Sequence, residues 1–180
     1  MPRRIVFVCT GNTCRSPLAE VLARARYAEL PLIFASAGTD AAAGQPASAE
    51  ARAIARERGL DLEGHRSAPV DARAVADAAW VIGMTRMHAA VLRARLSSRW
   101  QGRVGLLGAP GLDWRTAGVP STANGRTGHD IGDPDIGDPD IGDQDIGDPW
   151  HQDLATYRRT AEQIDAGLVA WVEVFRELCP

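Results

Sequence analysis

Cys9 and Arg15 bracket the stretch Cys9-Thr10-Gly11-Asn12-Thr13-Cys14-Arg15-Ser16, between the apolar run Ile5-Val6-Phe7-Val8 and a helix-like segment opening at Pro17. A thiol, a guanidinium six residues on and a Gly-Asn pair between them are the parts needed to hold a phosphoryl group and take it onto sulfur. A strand that delivers Cys9 to a short turn leaves the next backbone N–H groups at a helix N-terminus, where they form an anion-binding nest. Those donors, with the helix dipole, Arg15 and the Ser16 hydroxyl, are expected to stabilise a thiolate at Cys9, which is the nucleophilic form. Arg15 offers a planar fork to two phosphate oxygens and offsets charge as the group transfers. Gly11 lets the backbone approach the anion, and Asn12 tolerates a left-handed backbone while bracing the loop.

The bare spacing Cys-x5-Arg is weak, because three cysteines and 20 arginines in 180 residues make one chance match nearly expected. The weight comes from the elements around it. Arg3 to Cys9 reads as a central parallel strand, apolar throughout because both faces would be covered. Pro17 to Leu30 reads as a helix, with Ser16 as its cap and Pro17 in its first turn. Further strands are expected at Leu32 to Ala37, Ala79 to Met84 and Val104 to Leu107. Helices are expected at Ala47 to Arg58, Asp71 to Asp77, Arg86 to Trp100 and Gln152 to Leu178, the last with Leu154, Tyr157, Ala161, Ile164, Leu168, Trp171, Phe175 and Leu178 on one face. Strands alternating with helices at these lengths indicate an α/β fold with a parallel sheet and helices on both faces. In such folds ligands sit at the carboxyl ends of the strands, where Cys9 lies.

Cys9-Thr-Gly-Asn-Thr-Cys-Arg-Ser-Pro17 resembles the signature loop of the low-molecular-weight protein phosphatases. Ser36-Ala37-Gly38-Thr39, Gly64-His65-Arg66-Ser67, Met84-Thr85 and Asp148-Pro149-Trp150 are similar to further landmarks of that family, in its order. The resemblance covers nearly the whole chain except residues 108 to 144. It implies a flavodoxin-like three-layer sandwich, one phosphatase domain over 1–180, and a two-step phosphatase mechanism through phosphocysteine without a metal or other cofactor. Thr10, Gly11, Asn12, Thr13, Cys14 and Ser16 would surround the substrate phosphate. Ser36 either braces the loop or simply ends a strand, and His65 fixes a loop through ring hydrogen bonds. At Thr13 the tyrosine-directed branch usually carries a larger aliphatic residue, whereas the phosphoarginine-directed branch carries Thr. Met84-Thr85 also looks like the arginine-directed branch. A threonine offers a short wall and a hydroxyl for a polar guanidinium, where an aliphatic wall favours an aromatic ring. Phosphoarginine is therefore the expected substrate, with phosphotyrosine the alternative.

Residues 130–149 hold four tandem copies of Asp-Ile-Gly-Asp-Pro, the third ending in Gln144. The period is too short for a solenoid, and an irregular insertion is expected. One Asp-Pro of this segment supplies the general acid: it protonates the leaving group, then as carboxylate activates the water that frees phosphate. Asp148 is the choice, because Pro149 stiffens the loop and Trp150 lies between it and the last helix, as in the family. Asp133 and Asp138 also precede prolines but are decoys, since their distance from the last helix varies with copy number, although a neighbouring Asp could slide in and partly rescue an Asp148→Ala variant. Trp150 is either core or a lining of the pocket mouth. Calcium would need a twelve-residue loop ending in Glu, which the repeat lacks. Cys14, five residues from Cys9, either packs the loop or traps an oxidised Cys9 as a disulfide.

A 180-residue chain with 45% hydrophobic residues can build one ordinary core. All 20 basic residues are arginine, and without the repeat's eight aspartates 15 acidic residues remain, so the body is positive, which suits an anionic substrate. No signal peptide or membrane span is apparent, and an odd count of three cysteines points to a reducing cytoplasm. A phosphorylated protein is the expected partner, with phosphate or another oxyanion in the loop, and neither nucleic acid nor membrane. His88, His129 and His151 show no metal-ligand spacing. A thiol-linked arsenate reductase would need more cysteines than the remaining Cys179. A non-catalytic phosphate-binding module would need neither the thiol nor the acid.

Overall fold

Alternation along the first strand divides the molecule into layers. In the computed structural model, which describes residues 2–96, 102–114 and 145–179, β1 is Arg3–Cys9. Ile5, Phe7 and Cys9 fall in one buried cluster, and Val6 and Val8 in another on the opposite face. A strand buried on both faces must have helices above and below it. Four parallel strands lie in the order β2-β1-β3-β4, with β2 at Leu32–Gly38, β3 at Ala78–Gly83 and β4 at Arg103–Leu106. The chain leaves β1 to one side for β2 and returns to the other for β3. Cys9 thus ends the strand at the switch point, where open α/β sheets bind their ligands.

On one face pack α1 (Arg15–Arg26), α2 (Ala49–Glu57), α4 (Leu154–Ala170) and α5 (Val172–Glu177); α3 (Arg86–Arg95) covers the other. The first face is aromatic. Phe7 stacks on Phe34 with centroids 6.1 Å apart, and Trp80 meets Trp171 edge-on at 4.9 Å. Tyr27 donates to the Leu168 carbonyl at 2.6 Å, so the polar end of this buried ring is satisfied.

Three expectations are corrected. α1 begins at Arg15, with Cys14 at its cap position, and Ser16 is inside the helix and caps nothing. Pro17 is tolerated as the third helical residue because the first-turn N–H groups have no intrahelical acceptor. Residues 72–77 form turns and no helix. The closing helix is broken at Trp171, whose indole donates to the Leu107 carbonyl at 3.0 Å beneath the edge of the sheet. Residues 97–100, His129 and the repeat copies at 130–144, with Asp133 and Asp138, lie outside the described residues.

Candidate active site

The loop after β1 is built around Asn12. Its backbone is left-handed, with φ 54°, and its side chain is wholly buried. Nδ2 donates to Ser16 Oγ and to Ser36 Oγ, both at 2.9 Å, and Oδ1 accepts from the Ala68 N–H at 2.9 Å. His65 Nε2 bonds the Asn12 carbonyl oxygen at 2.7 Å. Ser36 passes the chain outward by donating to Glu20 at 2.6 Å. Ser36 and His65 thus brace the loop, and one amide side chain closes it on Ser16 and ties the segments at Ser36 and Ala68 to it.

Cys9 is 2% exposed, and its Sγ is 3.1 Å from Ser16 Oγ. Ser16 is therefore positioned to support the sulfur even though it caps no helix. Gly38 lets β2 close on the loop: a Cβ there would fall 2.4 Å from the Thr10 carbonyl oxygen and 2.9 Å from the Asn12 nitrogen. At Gly11 a Cβ would meet Thr13 Oγ1 at 3.4 Å, an ordinary contact, so no crowding within the protein demands glycine there.

Arg15 is 4% exposed. Nη1 donates to the Ile146 carbonyl at 3.1 Å, and Nη2 donates to Asp148 Oδ2 at 2.6 Å. Its Nε is buried without a partner among the described residues. The last repeat copy is docked along its length. Asp145 accepts from the Arg86 N–H at 2.9 Å, Ile146 is buried and donates to the Met84 carbonyl at 2.9 Å, and Gly147 donates to Gln163 at 3.1 Å. Asp148 Oδ1 accepts from the Trp150 N–H at 3.2 Å, and the Asp148 side chain is half-exposed. Trp150 is not core: it is 51% exposed and touches the His151 ring.

Cys14 faces the interior. Its Sγ is 3.3 Å from the Tyr157 hydroxyl, which also accepts from Ser48 Oγ at 3.2 Å. Burial pushes the Cys14 thiol up, against bonds from Tyr157, Thr13 and Ser48, so sulfur stays protonated there. Burial likewise drives the Tyr157 hydroxyl far up, and it acts as a neutral donor. Thr13 is half-buried, with Oγ1 3.6 Å from Cys14 Sγ, and its carbonyl accepts from the Ser48 N–H at 2.9 Å. Thr10 is exposed beside Cys9 and is bonded to His88, a residue the sequence pattern gave no role. The signal was present in Thr85-Arg-Met-His88, which forms a capping box at the start of α3.

A family model described as low molecular weight phosphotyrosine protein phosphatase matches residues 4–119. The chain belongs to this family. It is 43% identical over 89 residues to a protein-arginine-phosphatase of Geobacillus stearothermophilus, covering 49% of this chain and 58% of that one. It is 34% identical over 108 residues to the low molecular weight protein-tyrosine-phosphatase Wzb of Salmonella typhimurium, covering 60% and 70%. This phosphatase-family chain thus spans a little over half the length of the first of these relatives. The crystal structure of a low molecular weight protein tyrosine phosphatase from T. tengcongensis superposes with a TM-score of 0.71 at 27% identity, covering 95% of this chain and 98% of that one. That phosphatase shares the fold of this chain. Among the described residues no helix is long and apolar enough to cross a membrane.

Proposed function

We propose that the chain is a cysteine-dependent protein phosphatase that forms a phosphocysteine at Cys9 and acts on phosphoarginine. The meeting of Arg15 with Asp148 carries this reading: a 2.6 Å ion pair joins the candidate phosphate grip to the candidate acid across 133 positions of sequence. In the proposed reaction the Cys9 thiolate attacks phosphorus, and the bond from phosphorus to the substrate nitrogen breaks as that nitrogen takes a proton from Asp148. A phosphate dianion on Arg15 displaces the carboxylate from the guanidinium and leaves Asp148 free to face the leaving group. Water then attacks phosphorus, gives its proton to Asp148, and releases phosphate and the thiolate. Thr10, Gly11, Asn12, Thr13, Cys14 and Ser16 form the phosphate cradle. The buried side chains of Asn12, Cys14 and Ser16 hold its shape, and Trp150 flanks its mouth. We assign the whole chain to one domain, with the repeat as an insertion, and place it in the cytoplasm, where Cys9 remains reduced. If Cys9 is oxidised to a sulfenic acid, Cys14 can condense with it, releasing water and forming a disulfide. Peroxide treatment and mass mapping test this step, and a sulfonic acid at Cys9 beside untouched Cys14 would overturn it.

Phosphotyrosine is the second reading, favoured by likeness to the Salmonella protein-tyrosine-phosphatase. Assays of phosphoarginine and phosphotyrosine peptides with the native chain and Thr13→Ile separate the two. The proposal expects phosphoarginine to be preferred and the variant to shift toward phosphotyrosine. Preference for phosphotyrosine in the native chain would overturn the substrate, and an unchanged preference in the variant would remove Thr13 as selector.

A further inference from the structure

His88 begins as a helix cap and ends at the active-site rim. Its Nδ1 accepts from the Thr85 backbone N–H at 3.2 Å and lies 2.8 Å from the Thr85 hydroxyl. A ring nitrogen that accepts from a backbone N–H carries no proton, so in the neutral ring the proton is on Nε2. Nε2 is 3.0 Å from Thr10 Oγ1, and the bond therefore runs from His88 to Thr10. His88 is its hydroxyl's partner among the described residues, and Thr10 is exposed immediately after Cys9. With a lone pair engaged by the imidazole, the Thr10 O–H is left to donate outward.

We propose that His88 is a positioning residue of the phosphatase site: by donating to Thr10 Oγ1 it turns the Thr10 hydroxyl into a fixed donor to the phosphoryl group transferred to Cys9. The inference rests on the reading of Cys9 as nucleophile. It adds a neutral donor beside the charged grip of Arg15, carried from a helix on the opposite face of the sheet. The ring is suited to that task, since burial and the Arg15 charge, opposed by Asp148, lower its pKa to about 4, so it stays neutral at physiological pH. Gly83 allows the close fit, because a Cβ there would fall 2.9 Å from His88 Cβ.

A double-mutant cycle on turnover of a chromogenic aryl phosphate tests the arrangement, using Thr10→Val, His88→Ala and the pair. Each single change is expected to lower kcat about three- to tenfold, and the pair no more than Thr10→Val alone, because His88 acts through Thr10. Thr10→Ser, which keeps the hydroxyl, should recover most of the loss. Losses that multiply would overturn the proposal, as would a His88→Ala variant with native kcat and only a lowered melting temperature. In nitrogen-15 spectra of the imidazole, the response of Nε2 to phosphate supplies a readout that helix capping does not move. A neutral Nε2–H tautomer at pH 7 whose Nε2 resonance shifts when inorganic phosphate is added supports the proposal; an Nδ1–H ring, or no shift despite phosphate binding, overturns it. If the native chain itself does not turn over aryl phosphate, the phosphatase reading fails, while the tautomer and the phosphate-induced shift still test this bond.

Discussion

The two halves of the site are held in opposite ways. The loop from Cys9 to Ser16 is locked from within: Asn12 is wholly buried and spends its side chain on Ser16, Ser36 and Ala68. The segment from Asp145 to Asp148 is held from outside, through backbone bonds to Met84, Arg15 and Gln163, and its acid is half-exposed. The contrast suits the two tasks proposed for them. A nucleophile and its oxyanion donors work best when nothing moves during the reaction, whereas an acid must give up one partner and take another. Arg15 belongs to both halves, because it starts α1 and ends on Asp148.

The largest effect is therefore expected at Arg15. Arg15→Ala should lower kcat/KM on aryl phosphates about a thousandfold or more, and Arg15→Lys should not rescue it, since a point charge cannot bridge the carbonyl, the carboxylate and the phosphate oxygens. A mild loss would mean that the shared guanidinium is structural. Next comes the acid. Asp148→Asn keeps an acceptor for Arg15 but cannot give a proton, so kcat on poor leaving groups should fall about a hundredfold with the melting temperature nearly unchanged. If Asp148→Ala is as inactive as a form also lacking Asp133 and Asp138, the tandem copies do not substitute for one another.

The locked half responds in stability. Asn12→Ala removes three side-chain bonds inside the protein and leaves the Ala68 N–H and two serines without that partner, so unfolding free energy should drop by about 2–4 kcal/mol in urea titrations. The smaller pH effect belongs to His88. Its folded value of about 4 is below the ordinary imidazole value near 6.5, so the unfolded chain binds the proton first. The native state loses stability as pH falls from about 6.5 to about 4, by about 3 kcal/mol in all, and this group adds no further loss below that. The difference between native and His88→Gln unfolding curves at pH 7, 5.5 and 4 isolates it. A constant difference across that range would remove the assignment.

Sequence and structure agree where local chemistry decides. β1 runs from Arg3 to Cys9 as its apolar residues require, and Asn12 takes the left-handed backbone its side chain tolerates. They part where tertiary contacts decide. Ser16 looks like a cap because serine precedes a proline, yet its hydroxyl turns inward to Cys9 and the Ala37 carbonyl. The face from Leu154 to Leu178 reads as one helix, because the break at Trp171 comes from the indole reaching the edge of the sheet and leaves the apolar period intact. Tyr157 reads as core by spacing, but its hydroxyl serves Cys14 and Ser48, a partnership across more than a hundred positions. His88 is legible as a helix cap, but its bond to Thr10, 78 positions away, is not, for the same reason.

One measurement bears most directly on the proposed transfer of phosphate to sulfur. Asp148→Ala, mixed with a radiolabelled aryl phosphate whose phenolate leaves without needing a proton and quenched in acid within milliseconds, should carry label on the peptide that holds Cys9, because attack then goes without the acid while hydrolysis lacks its base. A native chain that turns over the substrate while neither protein ever carries phosphorus on Cys9 would contradict the account.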